Sequence, residues 1–566
     1  MRIFKKKRKI FEIAPDEIFL DSKNIPQFNT QQMEGKIEKP ISKKTTAFLW
    51  LFFLIVISIF TWKISALQLV KGEYYFKKSQ DNSLNRKIIF ADRGIIYDRN
   101  NVRLAWNSEI MGDTGDISEK FLLRSYIKSP GLSHVLGYVS YPKKDKSGNY
   151  WREVFTGKDG VEKKYDNILK GENGEKLLEK DALNTIQSES VVNPSKNGDN
   201  VVLSIDSGVQ TKLFEAIKSL AGSSSYVGGG GVLMDINNGE ILAITSYPEY
   251  DSEIMSLGSD SNTIGDYQKS SRKPFLNRAL NVYAPGSIVK PFIAMGALNE
   301  QVIDPLKKIL STGSISIPNP YFPDKPSIFK DWKAHGWVDM RRALAVSSDV
   351  YFYEVGGGYK DQKGLGIVNI DKYMKMFMVG EKTGVDLYGE NEGVIPTPEW
   401  KELNFNGDPW RVGDTYHTSI GQYGFQVSPI QMVRAISAIA NDGTLVSPHV
   451  VLGDKNFENK TEKIELNTSY FDIVKEGMRG VVMPGGTATM LDVPYVKVAA
   501  KTGSAQVGIS KKNMHAWVIG FFPYEKPRYA FAVLMESGPS QGASGAQYVM
   551  RQVLDWMSIN APEYFK

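Results

Sequence analysis

In "APGSIVKPF" a serine, Ser287, is followed three residues later by a lysine, Lys290. On a helix, that spacing puts both side chains on one face. Burial favours the neutral form of an amine. A neutral amine can take the proton of a nearby hydroxyl and turn it into a nucleophile. Pro285 and Gly286 suit a helix start, which places Ser287 in the first turn. There it meets unpaired backbone N–H groups and the positive end of the helix dipole. The "FIAMGAL" immediately downstream is apolar on every side, so this helix is expected to be buried. Pro291 is the odd residue, because so early in a helix it removes a backbone donor.

Taken alone, Ser-x-x-Lys is a weak signal. The same quartet begins at Ser125, Ser140, Ser270 and Ser327, where a surface turn is the plain reading. Two later segments set Ser287 apart. In "AVSSDVYFYEVG", Ser347 and Asp349 flank Ser348 ahead of an aromatic run. A second hydroxyl there would relay a proton to a leaving amine; the same residues would equally cap a helix. In "KVAAKTGSAQ", Lys501, Thr502, Gly503 and Ser504 close a strand-like run. A cation and hydroxyls at a strand edge suit a carboxylate, and Gly503 leaves room for a substrate beside the backbone. The rivals "KSG" at Lys146 and "KTG" at Lys382 lie in a polar stretch and behind a helical segment.

The elements that must position these residues read as α+β. "SGVQTKLFEAIKSLA" has helical periodicity, and "GGVLMDINNGEILAITSYP" reads as a hairpin around Asn237, Asn238 and Gly239. Near the C-terminus come "YVKVAAKTGSAQV", "HAWVIGFFPYEKPRYAFAVLMES" and a last helix, "AQYVMRQVLDWM". Strands and a helix before a helical middle, and again after it, predict one antiparallel sheet built from both ends of the region, with a helical subdomain between. "VVLSI", just after residue 200, reads as a further strand. Residues 70–200 are charged and turn-rich, and the border falls at "NPSKNGDN", Asn193 to Asn200.

"TTAFLWLFFLIVISIFTW" carries no charge and, with the apolar residues beyond Lys63, is long enough to span a bilayer. The expected order is a cytoplasmic basic tail (1–46), a transmembrane helix (47–69), a charged, turn-rich domain (70–200) and a second domain (201–566). The tail holds 11 Lys/Arg against 6 Asp/Glu, so +5 of the chain's +6 net charge sits there. The basic start orients the helix with its N-terminus inside and the bulk of the chain outside the cytoplasm. The near-neutral remainder sets nucleic-acid binding aside. The absence of cysteine excludes disulfides and thiolate chemistry.

Ser-x-x-Lys, Ser-x-Asp and Lys-Thr-Gly, in that order, resemble the motif set of penicillin-binding proteins and class A β-lactamases, with asparagine in the middle motif. "ADRGIIYDRNNVRLAWN" and "GKDGVEKKYDNILKGENG" resemble pedestal segments of class B penicillin-binding proteins. "DWKAHGWVDMRRALAVSSDVYFYEVG" and "GVIPTPEWK" are most similar to the cell-elongation branch. The resemblance implies a membrane-anchored peptidoglycan D,D-transpeptidase without a cofactor. Ser287 would form the acyl-enzyme and Lys290 would be its base. Ser347 would pass the proton on, and Lys501, Thr502 and Ser504 would hold the terminal carboxylate. The N–H groups of Ser287 and Ser504 would form the oxyanion hole. Stem peptides and β-lactams would be its ligands; a SEDS-type glycosyltransferase and other elongation proteins would be its partners. A division-type enzyme, a D,D-carboxypeptidase and a β-lactam receptor are the alternatives on the same domain.

Two departures stand out. Asp349 replaces the asparagine of much of the family, and a carboxylate near Lys290 opposes its role as base. Some elongation-type members bind zinc with aspartate, histidine and cysteine. Here Asp331 and His335 are present without any cysteine, and no metal is expected.

Overall fold

The computed structural model describes residues 42–81, 85–111, 121–148, 150–180, 186–319, 322–454, 457, 460–508, 512–540 and 545–566. Up to residue 41, the predicted basic tail lies outside them. Helix α1, Lys43–Ser65, starts on Ser42, whose side chain accepts from the Thr45 N–H. It continues through a π-helical stretch, Ala66–Val70. Within these 28 residues an 18-residue window has a mean hydropathy of 2.2, and none of that window is covered by protein. At 1.5 Å per residue the rod is about 42 Å long, enough to cross a hydrocarbon core of about 30 Å. The N-terminal helices belong to one compact unit; Asn85–Leu178 together with Glu189–Lys566 form the other.

In that second unit the pedestal segments build two small sheets. Asn85–Ile89 pairs antiparallel with the strand beginning at Gly174, and residues 189–193 of a third strand lie beyond it. The other sheet has the order Val201–Val202, Ile96–Tyr97, Arg103–Met111, Leu122–Tyr126. The expected strand "VVLSI" is therefore only two residues long, and it runs parallel to Ile96–Tyr97 instead of joining the main sheet. Leu203 then bridges to Val451.

The two pedestal segments singled out in the sequence meet in a buried ion cluster. Arg93 Nε donates to Glu162 at 2.5 Å, Arg124 Nε donates to its other oxygen at 2.7 Å, and Arg93 also reaches Asp166 at 2.8 Å. Burial alone would raise the Glu162 carboxyl, but the two guanidiniums hold it below the usual range.

The main sheet begins after α2 (Ser207–Ser223) with the hairpin β1 (Gly228–Asp235) and β2 (Ile241–Tyr247). Next comes the helical middle: α3 (Lys290–Asn299), α4 (Met340–Val346), α5 (Asp349–Gly357), α6 (Pro429–Ala440) and α7 (Thr468–Val482). Strands β3 (Ala499–Val507), β4 (Asn513–Phe522) and β5 (Tyr529–Pro539) and helix α8 (Gln547–Asn560) complete it. The order is β2-β1-β5-β4-β3, antiparallel throughout, so the N- and C-terminal strands meet at β1–β5 and β3 is an edge.

Side chains alternate across a strand. Along β5, Phe531, Val533 and Met535 point into the core shared with α2 and α8. Ala530, Ala532 and Leu534 point into the other core, with α3 and α6. Both faces are covered, which is why β5 reads as an unbroken apolar run.

Candidate active site

The segment around Ser287 folds differently from the first-turn expectation. Gly286–Val289 makes a single 3-10 turn, and the α-helix begins at Lys290. Pro291 therefore takes the second helical position, where its missing N–H had no partner to lose. Lys290 through Leu298 are all buried, as the apolar run predicts. Gly286 has φ +59, and a Cβ there would lie 2.5 Å from the Ser504 carbonyl oxygen. Its N–H donates to the Gly421 carbonyl at 2.9 Å, and the Trp517 indole donates to the Ala284 carbonyl at 2.9 Å. The turn thus sits backbone to backbone against β3.

Ser347 ends α4 in the left-handed region, at φ 56 and ψ 41. For a residue with a side chain this costs of order 1–3 kcal/mol. Its neighbour Ser348 caps α5 by accepting from the Tyr351 N–H at 3.3 Å. The capping role open to this motif therefore falls to Ser348, and the Ser347 hydroxyl is left to the lysines.

Both amines reach it. Lys290 donates to the Ser347 carbonyl (2.8 Å), to Ser347 Oγ (3.3 Å) and to Asp349 Oδ1 (2.6 Å). These three acceptors match the three protons of an ammonium, and none of the bonds goes to Ser287. Lys501, fully buried on β3, donates to Ser347 Oγ at 2.8 Å and to the Thr502 carbonyl at 2.9 Å. Burial first, and then the charge of Lys290, push the Lys501 amine well below the usual lysine range; Asp349 pulls weakly the other way.

Above this cluster opens a cleft of about 1320 Å³, lined by Ser287, Ser347, Asp349, Thr502, Gly503 and Ser504. Thr502 and Thr487 share a 2.6 Å hydroxyl contact across it. A Cβ on Gly503 would fall 2.6 Å from the Pro285 carbonyl and 2.8 Å from an Ile288 methyl. The room at Gly503 is thus filled by the Ser287 turn, a correction to the expectation of space for substrate. Among the rival motifs, Lys128 is ion-paired with Glu253 and Lys382 with Glu392, all as exposed or half-exposed side chains.

Residues 229–555, more than half of the chain, match the penicillin-binding protein transpeptidase domain, and residues 118–203 match the penicillin-binding protein dimerisation domain. The chain belongs to the penicillin-binding protein transpeptidase family. Among its relatives, peptidoglycan D,D-transpeptidase MrdA of Acinetobacter baumannii is 33% identical over 467 residues, covering 77% of this chain and 66% of the relative. MrdA of Escherichia coli K12 is 29% identical over 612 residues, 90% of this chain and 93% of the relative. A structure of PBP2 in complex with MreC from Helicobacter pylori superposes with a TM-score of 0.70 at 26% identity, over 85% of this chain and all of that one.

In this penicillin-binding transpeptidase the residues around Asp331 do not fit a zinc ion. Asp331 Oδ2 accepts from Ser348 Oγ (2.8 Å), the Val350 N–H (3.0 Å) and Ser311 Oγ (3.2 Å), and Oδ1 accepts from the Trp332 N–H (2.8 Å). The nearest histidine nitrogen, His335 Nε2, is 3.5 Å away. Hydroxyls stand where a soft or anionic ligand would be needed. Among the described residues no group of three His, Cys, Asp or Glu side chains is arranged to hold a metal.

Sequence reasoning does not find Thr487 or the role of Trp332, whose indole donates to the Ser347 carbonyl at 3.3 Å. "PGGTA" is the available signal for the first, as a turn cluster next to the motif strand.

Proposed function

We propose that this chain is an elongation-type class B penicillin-binding protein, a membrane-anchored peptidoglycan D,D-transpeptidase. The observation that carries the reading is the convergence of two buried lysines on one serine hydroxyl beneath the cleft that Ser287 lines.

Ser287 Oγ attacks the D-Ala-D-Ala carbonyl of a donor stem peptide. A bond forms from Oγ to that carbon, and the bond to the terminal D-alanine nitrogen breaks. The Ser287 proton passes through the amine cluster and Ser347 to the departing amine. Lys501 is the amine whose surroundings favour loss of a proton, and Ser347 links it to Lys290. Lys290, three residues from Ser287 and joined to Lys501 through Ser347, is the local base at Ser287. Catalytic hydrogen bonds often tighten only once substrate is bound, which accords with Lys290 turning to Ser347 and Asp349 in the free protein. Thr502 and Ser504, which line the cleft, receive the donor carboxylate with Lys501 buried beneath them, and the N–H groups of Ser287 and Ser504 stabilise the oxyanion. The amine of a second stem peptide then releases Ser287 and leaves the cross-link.

The division into tail (1–46), span (47–69), pedestal (70–200) and transpeptidase (201–566) goes with this reading. So does an N-terminus inside the cytoplasm with the cleft outside. The H. pylori complex with MreC supports partners in the elongation machinery, and a SEDS-type glycosyltransferase is the partner that would supply glycan strands. Purified full chain should be labelled by a fluorescent penicillin, and Ser287→Ala should not. Mass analysis of paired stem peptides should show cross-linked product in preference to hydrolysis. Depleted cells should round up. Equal labelling of the alanine variant would remove the enzyme reading.

A further inference from the structure

Asp331 lies outside the three motifs, yet its carboxylate has no exposed surface and gathers four hydrogen bonds. Two of them come from Ser348 Oγ and the Val350 N–H, which flank Asp349 at the start of α5. A third, from the Trp332 N–H, fixes the residue whose indole holds the Ser347 carbonyl. The Lys290 amine donates to the same carbonyl. Ser347 is thus held in its left-handed conformation from both sides, and that conformation aims Oγ at the two lysines.

We propose that Asp331 is a positioning residue, which pins the Ser347–Asp349 turn through hydrogen bonds alone, where relatives carrying a cysteine would use a metal ion. This rests on the transpeptidase reading above. Ser311 and Ser348 supply protons to the carboxylate, so they act as donors to an anion, the reverse of what a cation site requires. The His335 ring packs edge-on against Trp332 at 4.9 Å, and both residues line the cleft. An asparagine at 331 keeps the volume but has one acceptor oxygen, and its NH₂ group would face an N–H or O–H that needs an acceptor. The turn would then lose its register, and a shift of about 1 Å at a reacting group lowers rates by about 100-fold.

The test uses the full chain in detergent and a fluorescent penicillin, separating initial binding from the acylation step. Asp331→Asn is expected to slow acylation about 10- to 100-fold while initial binding stays close to that of the parent. Trp332→Phe keeps an aromatic ring beside His335 but removes the indole N–H together with the pyrrole ring that carries it; it should give a smaller loss in the same step. Parent protein from zinc-supplemented growth should carry substoichiometric metal and acylate equally with and without a chelator. Acylation of Asp331→Asn at the parental rate would overturn the proposal. So would one zinc per parent chain whose removal abolishes acylation. If Asp331→Asn does not fold, the Trp332→Phe rates and the parent's metal content decide in the same two directions. A parent that is never acylated would instead refute the transpeptidase reading, and its metal content would still decide between hydrogen bonds and a cation.

Discussion

Replacing Asp349 by asparagine removes one negative charge from the amine cluster while keeping a hydrogen-bond acceptor for Lys290. The Lys290–Asp349 contact is 2.6 Å, with the amine fully buried and the carboxylate 17% exposed. At an effective dielectric of about 20, the gross attraction across that distance is about 6 kcal/mol. Desolvation of both groups cancels most of it. A net remainder of even a quarter of the gross value is about 1.5 kcal/mol, roughly a factor of ten in the proton equilibrium of the cluster as a whole.

The direction comes from the causes acting on Lys501. Burial and the charge of Lys290 lower it, and Asp349 is the charge that raises it. Without Asp349, Lys501 falls further, and the coupled amines as a pair shed their first proton at lower pH. If a neutral amine is the base, the acid limb of the acylation–pH profile should move to lower pH. Second-order acylation constants for a fluorescent penicillin, measured from about pH 5 to 9 on parent and variant to bracket such a limb, give the comparison directly. An acid limb that stays in place, or moves to higher pH, would refute the assignment of a neutral lysine as base.

In the pedestal, Glu162→Gln should destabilise the fold by about 3–5 kcal/mol, because it leaves two buried guanidiniums short of their carboxylate; denaturant melts with pedestal-specific cleavage would register it. Glu162 is held below its ordinary pKa, so its stabilisation is complete above about pH 4.5 and is lost as the pH falls through the folded value. The parent should therefore lose more stability than the variant on acidification below that point. Gly503→Ala would place a methyl 2.6 Å from the Pro285 carbonyl, so the turn must shift. Acylation should drop about 10- to 100-fold with a lowered melting temperature, and an alanine variant labelled as fast as the parent would count against close backbone contact as the reason for glycine.

Much of the positioning scaffold is legible because it is written locally. The anchor, the β1–β2 hairpin and the strands β3 to β5 each carry their own periodicity, and the motif residues lie at fixed short spacings. The features that escape depend on chain closure over long distances. Ser348 caps the next helix while the Ser347 hydroxyl faces the lysines because a left-handed residue joins two helices, and no propensity of serine announces that. Asp331 can be noted beside His335 as an incomplete metal pair, but three of its four donors come from residues 311, 348 and 350, which only the fold brings to it. Gly503 reads as space for a ligand because nothing local reveals that the Pro285–Ile288 turn occupies it. Pro291 is anomalous only while the helix is thought to begin before Ser287; the 3-10 turn delays that start to Lys290.

The two residues Val201 and Val202 tie the pedestal to the transpeptidase domain more tightly than a linker would. They lie on the side of the border that leads directly into α2, yet their backbone completes a sheet with Ile96–Tyr97. A load applied to the pedestal by a neighbouring protein would therefore be passed in shear, through strand hydrogen bonds, to the helix that backs the main sheet. A fragment cut at residue 200 would strand an edge on each piece. Domain-swap chimaeras should consequently be joined before Ile96 or after Leu203, so that the paired strands travel together.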